Sequence, residues 1–299
     1  MLVGPGDDAA VWQPPPGLAV AVSQDAQVEG VDFRRGWITP HRLGRRAAAA
    51  ALSDLAATGA SPAYLLATVC AAAGTAAEDL LAIHLGLVEA AAEAGCPLLG
   101  GDLSRIDGPL VVDVHAAGSV EPGAALRRDA GRPGDLLAVT GVLGRAAAGL
   151  AALQAGAEAE ADPAWLEAQL QPRARLAEGR RLAALGVRCA GDLSDGLLID
   201  AGWTAAASGC GAELWLDRVP VDPGLRAVHP ARWVELALAG GEDFELLAAA
   251  PAPLLAGWPE GLSPLSIVGR LVAGSGVDLL DTEGGRPLAA PRALSRHFG

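Results

Sequence analysis

The chain runs Gly191, Asp192, Leu193, Ser194, Asp195, Gly196, Leu197 without interruption. Two carboxylates and a hydroxyl are thereby held on a short turn edged by glycines, ahead of an apolar run over 197–207 that reads as a helix. Ser194 or Asp195 is the expected N-cap of that helix. A helix start presents free N–H groups and positive partial charge to an anion, so the run suits a phosphate held through a hard cation. Magnesium is the usual bridge, because it takes one or two carboxylates and completes its shell with phosphate and water. A single turn of this kind is equally an ordinary capped loop; repetition separates the two readings. Asp7 and Asp8 stand near the start, Ser23, Gln24 and Asp25 follow an apolar run, Ser53 and Asp54 fall in a helical stretch, and Gly100, Gly101 and Asp102 follow another apolar run. Acidic groups at the ends of strand-like segments point to a shared metal site, since open sheets gather ligand groups there.

Composition narrows the chemistry further. A length of 299 residues allows two domains, and 51% hydrophobic with 19% charged residues is ordinary globular material. The net charge of -13 disfavours non-specific binding to nucleic acid or an anionic membrane, so a phosphorylated ligand must be met locally by metal or arginine. All 22 basic residues are arginine. The absence of lysine removes a Walker-type phosphate lysine and Schiff-base chemistry. Cys70, Cys96, Cys189 and Cys210 form no CxxC pair and read as reduced thiols of a cytoplasmic protein. The five histidines show no HxxxH or HExxH spacing, which argues against zinc. The start carries no basic region followed by an apolar core, and the apolar windows are broken by Asp, Gly or Pro, so neither a signal peptide nor a membrane span is expected.

The elements that must position these residues follow from periodicity. Residues 18–23 read as a strand ending at Asp25, and 28–33 as further extended chain. Thr39 and Pro40 open a helix as N-cap and first residue, with Leu43, Ala47, Ala51 and Leu55 on one face and Gly59 as the stop. A second helix is expected from Thr75, with Glu78 completing a capping box, to Gly95. Residues 97–101 and 110–120 read as strands, giving an α+β first domain. The Gly, Pro and Arg-rich stretch 121–133 is the expected boundary, with domains over 1–125 and 126–299. Beyond it the pattern gives a strand over 135–140, a helix from Gly144 to Gly156, an acidic loop over 158–162 and a helix over 172–185. A helix over 231–239, stopped by Gly240 and Gly241, and strands over 244–250, 266–272 and 277–280 complete the second domain.

An ordered set of blocks now resembles one family. GDDAAV at 6–11, SQDAQVEGVDF at 23–33, LSDLAATGASP at 52–62, LLGGDLSR at 98–105, RPGDLLAVTGVLGRAAAGL at 132–150, DLSDGL at 192–197 and GGEDFEL at 240–246 look like thiamine-monophosphate kinase. The resemblance implies the two-domain α/β (α+β) fold of the aminoimidazole ribonucleotide synthetase superfamily. In that fold an α+β N-terminal domain dimerises through its sheet and an α/β domain follows. It implies an ATP-dependent enzyme that transfers the γ-phosphoryl group onto thiamine monophosphate. Carried over by position, Asp8, Ser23, Gln24, Asp25, Asp54, Asp102, Asp192 and Asp195 would bind several magnesium ions. Gly101, Asp102, Arg128 and Ser194 would meet the nucleotide, Asp192, Asp195 and Arg128 would carry the transfer, and Asp32, Glu242 and Ser295 would face the substrate. Both substrates are polyanions, and transfer between them is mostly positioning and charge stabilisation. The acceptor oxygen belongs to an already ionised phosphate, so no general base is required.

This chain departs from the family at Asp32, where His is usual, at Gln24, where Thr is usual, and at Ser295, where an aromatic is usual. The segment that ordinarily precedes GDDAAV is also missing. Two alternatives are another ATP-dependent member of the superfamily acting on a different small substrate, and a catalytically silent nucleotide-binding dimer. The set of retained carboxylates argues against the second, since like charges have no reason to stay together without a cation.

Overall fold

The computed structural model of the chain describes residues 1–2, 4 and 9–292. Asp8 and Ser295 lie outside the described residues. The chain divides into two compact units, Met1–Leu55 with Ala60–Gly123, and Ala56–Gly59 with Ala124–Gly299.

The first unit holds strand β1 (Ala19–Val28), helix α1 (Pro40–Ala57), strand β2 (Ser61–Ala71), helix α2 (Ala77–Glu93) and strands β3 (Leu98–Arg105) and β4 (Val111–Val120). The sheet order is β1-β4-β2-β3, antiparallel except for the parallel β2–β3 pair. Helix α1 starts as the sequence suggests: the Arg42 N–H donates to Thr39 Oγ1 at 3.3 Å, and Pro40 occupies the first turn. Leu43, Ala47, Ala51 and Leu55 are at most 2% exposed, so the expected apolar face is the buried one. Gly59, at φ 71°, turns the chain after the helix in a conformation that costs glycine little.

Three expectations for this unit are corrected, and one strand is new. Residues 28–33 do not run on as extended chain but turn back after Val28, with the Gly30 N–H donating to Phe33 O at 2.7 Å. Strand β1 does not stop at Asp25 but runs on to Val28, because it pairs with β4 along its whole length. The capping box at Thr75 and Glu78 does not form: α2 begins at Ala77, its N-cap is Ala76 without a side-chain bond, and Thr75 Oγ1 has no hydrogen-bond partner among the described residues. Strand β2, in the interior of the sheet, was not anticipated at all. Its sequence SPAYLLATVCA lacks clean alternation, because both its faces are at least partly covered.

The second unit holds β5 (Leu136–Thr140), α3 (Arg145–Ala155), α4 (Pro163–Leu170), α5 (Leu176–Ala184), β6 (Cys189–Asp192), α6 (Leu197–Ala207), β7 (Gly211–Trp215), α7 (Pro223–Val228), α8 (Trp233–Ala239), β8 (Leu246–Ala250), α9 (Ala252–Leu255), β9 (Leu265–Val272) and β10 (Val277–Leu280). The six strands form one mixed sheet in the order β10-β7-β9-β5-β8-β6, with only β10–β7 parallel. Both faces of its centre are buried. Leu137, Val139, Cys189, Leu247 and Ala249 pack with Leu197, Ala201 and Leu238 on one side. Ala138, Ala190, Leu246 and Ala248 pack with Leu182 and Leu126 on the other. Two covered faces explain the continuous apolar runs of β5 and β8. Helix α5 starts at Leu176, four residues later than expected, and α4, β6, β7, α7 and α9 were not anticipated.

Candidate functional site

In the first unit, strand alternation sorts the predicted residues by face. Ser23, Asp25 and Gln27 fall on one side of β1 and Gln24 on the other. Ser23 Oγ donates a short hydrogen bond to Asp54 Oδ2 of α1. Gln24 Nε2 instead donates to Asp113 Oδ2 at 2.6 Å, so its side chain does not join the Ser23 and Asp25 set as the sequence suggested. Burial, joined by the charges of Asp54 and Asp32, pushes the Asp25 carboxyl up to about 6, against a hydrogen bond from Gln27 and the charge of Arg46. Gln27 Nε2 donates to Asp25 Oδ1 at 3.0 Å, and Arg46 Nε donates to Gln27 Oε1 at 2.9 Å. Arg46 is 1% exposed and Gln27 4% exposed. Sequence reasoning missed both, although a polar Gln27 at the inward register of β1 was a visible signal.

Asp102 lies within β3 rather than at its end, and accepts from Ser104 Oγ at 2.8 Å. Gly101 is required beside it, because a Cβ there would stand 1.7 Å from the Ala67 carbonyl oxygen of β2. Asp32 Oδ2 accepts from the Val28 N–H at 2.8 Å and so closes the turn after β1.

In the second unit, Asp192 ends β6 at 3% exposure, and Arg128 Nη2 donates to its Oδ1 at 3.3 Å. The guanidinium lies over Gly191, where an added Cβ would stand 2.7 Å from Arg128 Nε. The N-cap of α6 is neither Ser194 nor Asp195. It is Gly196, at φ 106° and without a side-chain bond of its own. Asp200, one turn into the helix, supplies the missing acceptor: its Oδ2 takes the Asp195 N–H at 3.1 Å and the Gly196 N–H at 3.0 Å. The sequence reading overlooked Asp200. Burial, with the charges of Asp192 and Asp195, lifts its carboxyl to about 7, and its Oδ1 is buried without a hydrogen-bond partner among the described residues.

The segment after α8 is tied to this turn. The Glu242 N–H donates to Ser194 O at 2.8 Å, the Phe244 N–H to Leu193 O at 3.0 Å, and the Leu193 N–H to Glu245 O at 2.8 Å. Glu242 Oε2 accepts from Gln169 Nε2 of α4 at 2.8 Å.

Among the described residues no three His, Cys, Asp or Glu side chains converge closely enough to hold a metal ion. The donors are nonetheless hard oxygens in like-charged groups, and Asp200 offers an orphaned buried oxygen. Such donors fit magnesium, which needs only one or two protein carboxylates and draws its remaining ligands from phosphate and water. The four cysteines are free. No described helix is long and apolar enough to cross a membrane.

Residues 6–120 match the AIR synthase related protein N-terminal domain and 132–281 its C-terminal domain. The thiamine-monophosphate kinase of Mycobacterium tuberculosis (strain H37Rv) is 36% identical over 290 residues, covering 95% of this chain and 83% of that protein. The crystal structure of thiamine-monophosphate kinase from Stenotrophomonas maltophilia matches with a TM-score of 0.83 and 35% identity, over 92% of this chain and 89% of that one. AaThiL complexed with AMPPCP and TMP matches with a TM-score of 0.83 and 27% identity, over 93% and 88%. With both domains matched in order, and the likeness extending through sequence and fold, the chain belongs to the AIR synthase related proteins and, within them, to the thiamine-monophosphate kinase family.

Proposed function

We infer that this protein is a thiamine-monophosphate kinase: an oxygen of the acceptor phosphate attacks the γ-phosphorus of ATP, the bond to the β-phosphate oxygen breaks, and thiamine diphosphate and ADP leave. The observation that carries the inference is likeness along nearly the whole chain to kinases of that name, one of them similar in fold to 0.83 and holding AMPPCP and TMP.

In this reading Asp8, Asp25, Asp54, Asp102, Asp192 and Asp195 are magnesium ligands. Magnesium, when bound, supplies the positive charge that lets carboxylates and phosphates share a site. Ser23 orients Asp54 through its hydrogen bond, and Gln27 holds one oxygen of Asp25. Arg128, beside Asp192, brings a permanently charged guanidinium to the transferring phosphate, and Ser194 and Gly101 meet the nucleotide. Glu242 faces the thiamine side, steadied by Gln169. Asp32 and Ser295 occupy the substrate positions where the family ordinarily carries other residues. The chain works as a homodimer through the sheet of the first unit, a reading supported by Val20 and Val22, exposed at 47% and 63% on one face of β1. Four free thiols support a reducing, cytoplasmic setting.

The test is an assay of the purified protein with ATP, magnesium and thiamine monophosphate, following ADP and thiamine diphosphate together, with free thiamine as control acceptor. Equal amounts of both products, abolished by chelator and absent with free thiamine, are expected. ATP binding without diphosphate formation would overturn the assigned acceptor.

A further inference from the structure

Two non-glycine residues in the described chain adopt left-handed backbone, and both lie in one short segment: Glu242 at φ 68° and Phe244 at φ 48°. Such conformations persist only where the surroundings over-determine them. Here the residues between and after them are anchored by their own carboxylates, that of Glu245 buried. Asp243 Oδ2 accepts from the Gly144 N–H at 2.8 Å and its Oδ1 from the Ala146 N–H at 3.2 Å, so it caps the start of α3 from a distant part of the chain. Glu245, 3% exposed, accepts from Arg175 Nε at 2.7 Å and from Thr140 Oγ1 at 2.7 Å through its Oε2. Thr140 Oγ1 in turn accepts the Leu246 N–H at 2.8 Å. Space for the carboxylate exists because residue 141 is glycine: a Cβ there would stand 2.1 Å from Glu245 Oε1.

The strained segment is thus pinned on one side by these carboxylates and on the other by its three backbone bonds to Leu193 and Ser194. Gly241 permits the approach, since its Cβ would stand 2.3 Å from Ser194 O. We propose that Asp243, and Glu245 with Arg175 and Thr140, are positioning residues that hold Glu242 and Phe244 in left-handed backbone, fixing the Leu193–Ser194 turn and the aim of the Glu242 side chain. They touch no reacting atom; they set where Glu242 and the 192–195 turn present their groups, and small misplacements of such groups are costly in rate. The catalytic part of this role rests on the kinase function inferred above.

The test combines local exchange with kinetics. In the wild-type protein, hydrogen exchange should show the Glu242 and Phe244 amides protected like those of β8, although no helix or strand contains them. In Thr140→Val and in Asp243→Asn, exchange over 240–246 should quicken by about tenfold or more while the unfolding midpoint of the rest of the unit stays cooperative. In the same variants kcat should fall about tenfold and KM for thiamine monophosphate should rise, with Thr140→Ser restoring both to near wild type. Fast wild-type exchange at 242 and 244 overturns the proposal even if both variants fail to fold. So does quickened exchange in a folded variant with kcat and KM unchanged. A wild-type protein that makes no ADP overturns the kinase function instead, and the exchange of its amides still decides whether the segment is held.

Discussion

At the scale of single residues, the carboxylates divide by what surrounds them. Asp54 receives the Ser23 hydroxyl, and Asp192, almost fully buried, receives Arg128. Replacing either by Asn keeps volume and removes the negative oxygen that a magnesium ligand needs. Asp54→Asn and Asp192→Asn should each lower kcat by about 100-fold or more while leaving circular dichroism and the unfolding midpoint close to wild type. Unimpaired turnover in both would sink the ligand assignment. The residues that position these aspartates were harder to read than the aspartates themselves. Aspartates repeated after apolar runs stand out in a sequence, whereas Arg46, Gln27 and Asp200 act through contacts that depend on register. Gln27 reaches Asp25 only because both face inward on β1, and Asp200 reaches the Asp195 and Gly196 amides only because α6 begins without a side-chain cap. A glycine at the cap forced that solution, and the local sequence offered Ser194 and Asp195 as more familiar candidates.

Among elements, the helices with long apolar faces and the continuously apolar strands β5 and β8 were legible, whereas the short pieces and β2 were not. Helix α1 announced itself by Thr39, Pro40 and its apolar stripe. Helices α4 and α7 carry the same kind of signal, Asp162 before Pro163 and Asp222 before Pro223, and both aspartates do cap, at 2.8 Å to the Ala164 N–H and 2.9 Å to the Gly224 N–H. Their runs of 8 and 6 residues are too short to show a period, so the cap signal stood alone. What periodicity cannot show is closeness of backbones. A Cβ at Gly44 of α1 would stand 2.0 Å from the Ile83 carbonyl oxygen of α2, and one at Gly86 of α2 would stand 2.0 Å from His41 O. Each helix therefore carries a glycine where it crosses the other. Gly44→Ala should gain up to about 1 kcal/mol in helix propensity and lose about 1–3 kcal/mol in overpacking, because a carbonyl of the neighbouring main chain cannot swing aside. Net destabilisation in urea is expected, against a near-neutral Gly74→Ala, whose Cβ would meet nothing within 4 Å. A stabilised Gly44→Ala would mean that the helices separate at little cost.

For the whole molecule, strand order could not be read from the sequence, since it depends on pairings between distant segments. Composition nonetheless makes one global property unusually simple to test. Burial pushes the Cys96 and Cys189 thiols up to about 11 from 9.0, with Ser208 opposing it in part at Cys189. The folded state then binds protons that the unfolded chain has already released, so stability is fully present below pH 9 and is lost as pH rises toward 11. Lysine, which ordinarily titrates across this range and obscures such effects, is absent from the chain. The unfolding free energy from urea titrations should therefore decline between about pH 9 and 11, by an amount on the order of 1–2 kcal/mol for Cys189 alone. The decline should be smaller in a Cys96→Ala, Cys189→Ala double variant, and neither thiol should react with an alkylating agent in the folded protein at about pH 8, since the thiolate is the reactive form. An equal decline in wild type and double variant would assign alkaline instability to other groups, and rapid native alkylation at Cys189 would mean that β6 opens far more readily than its buried pairing with β8 allows.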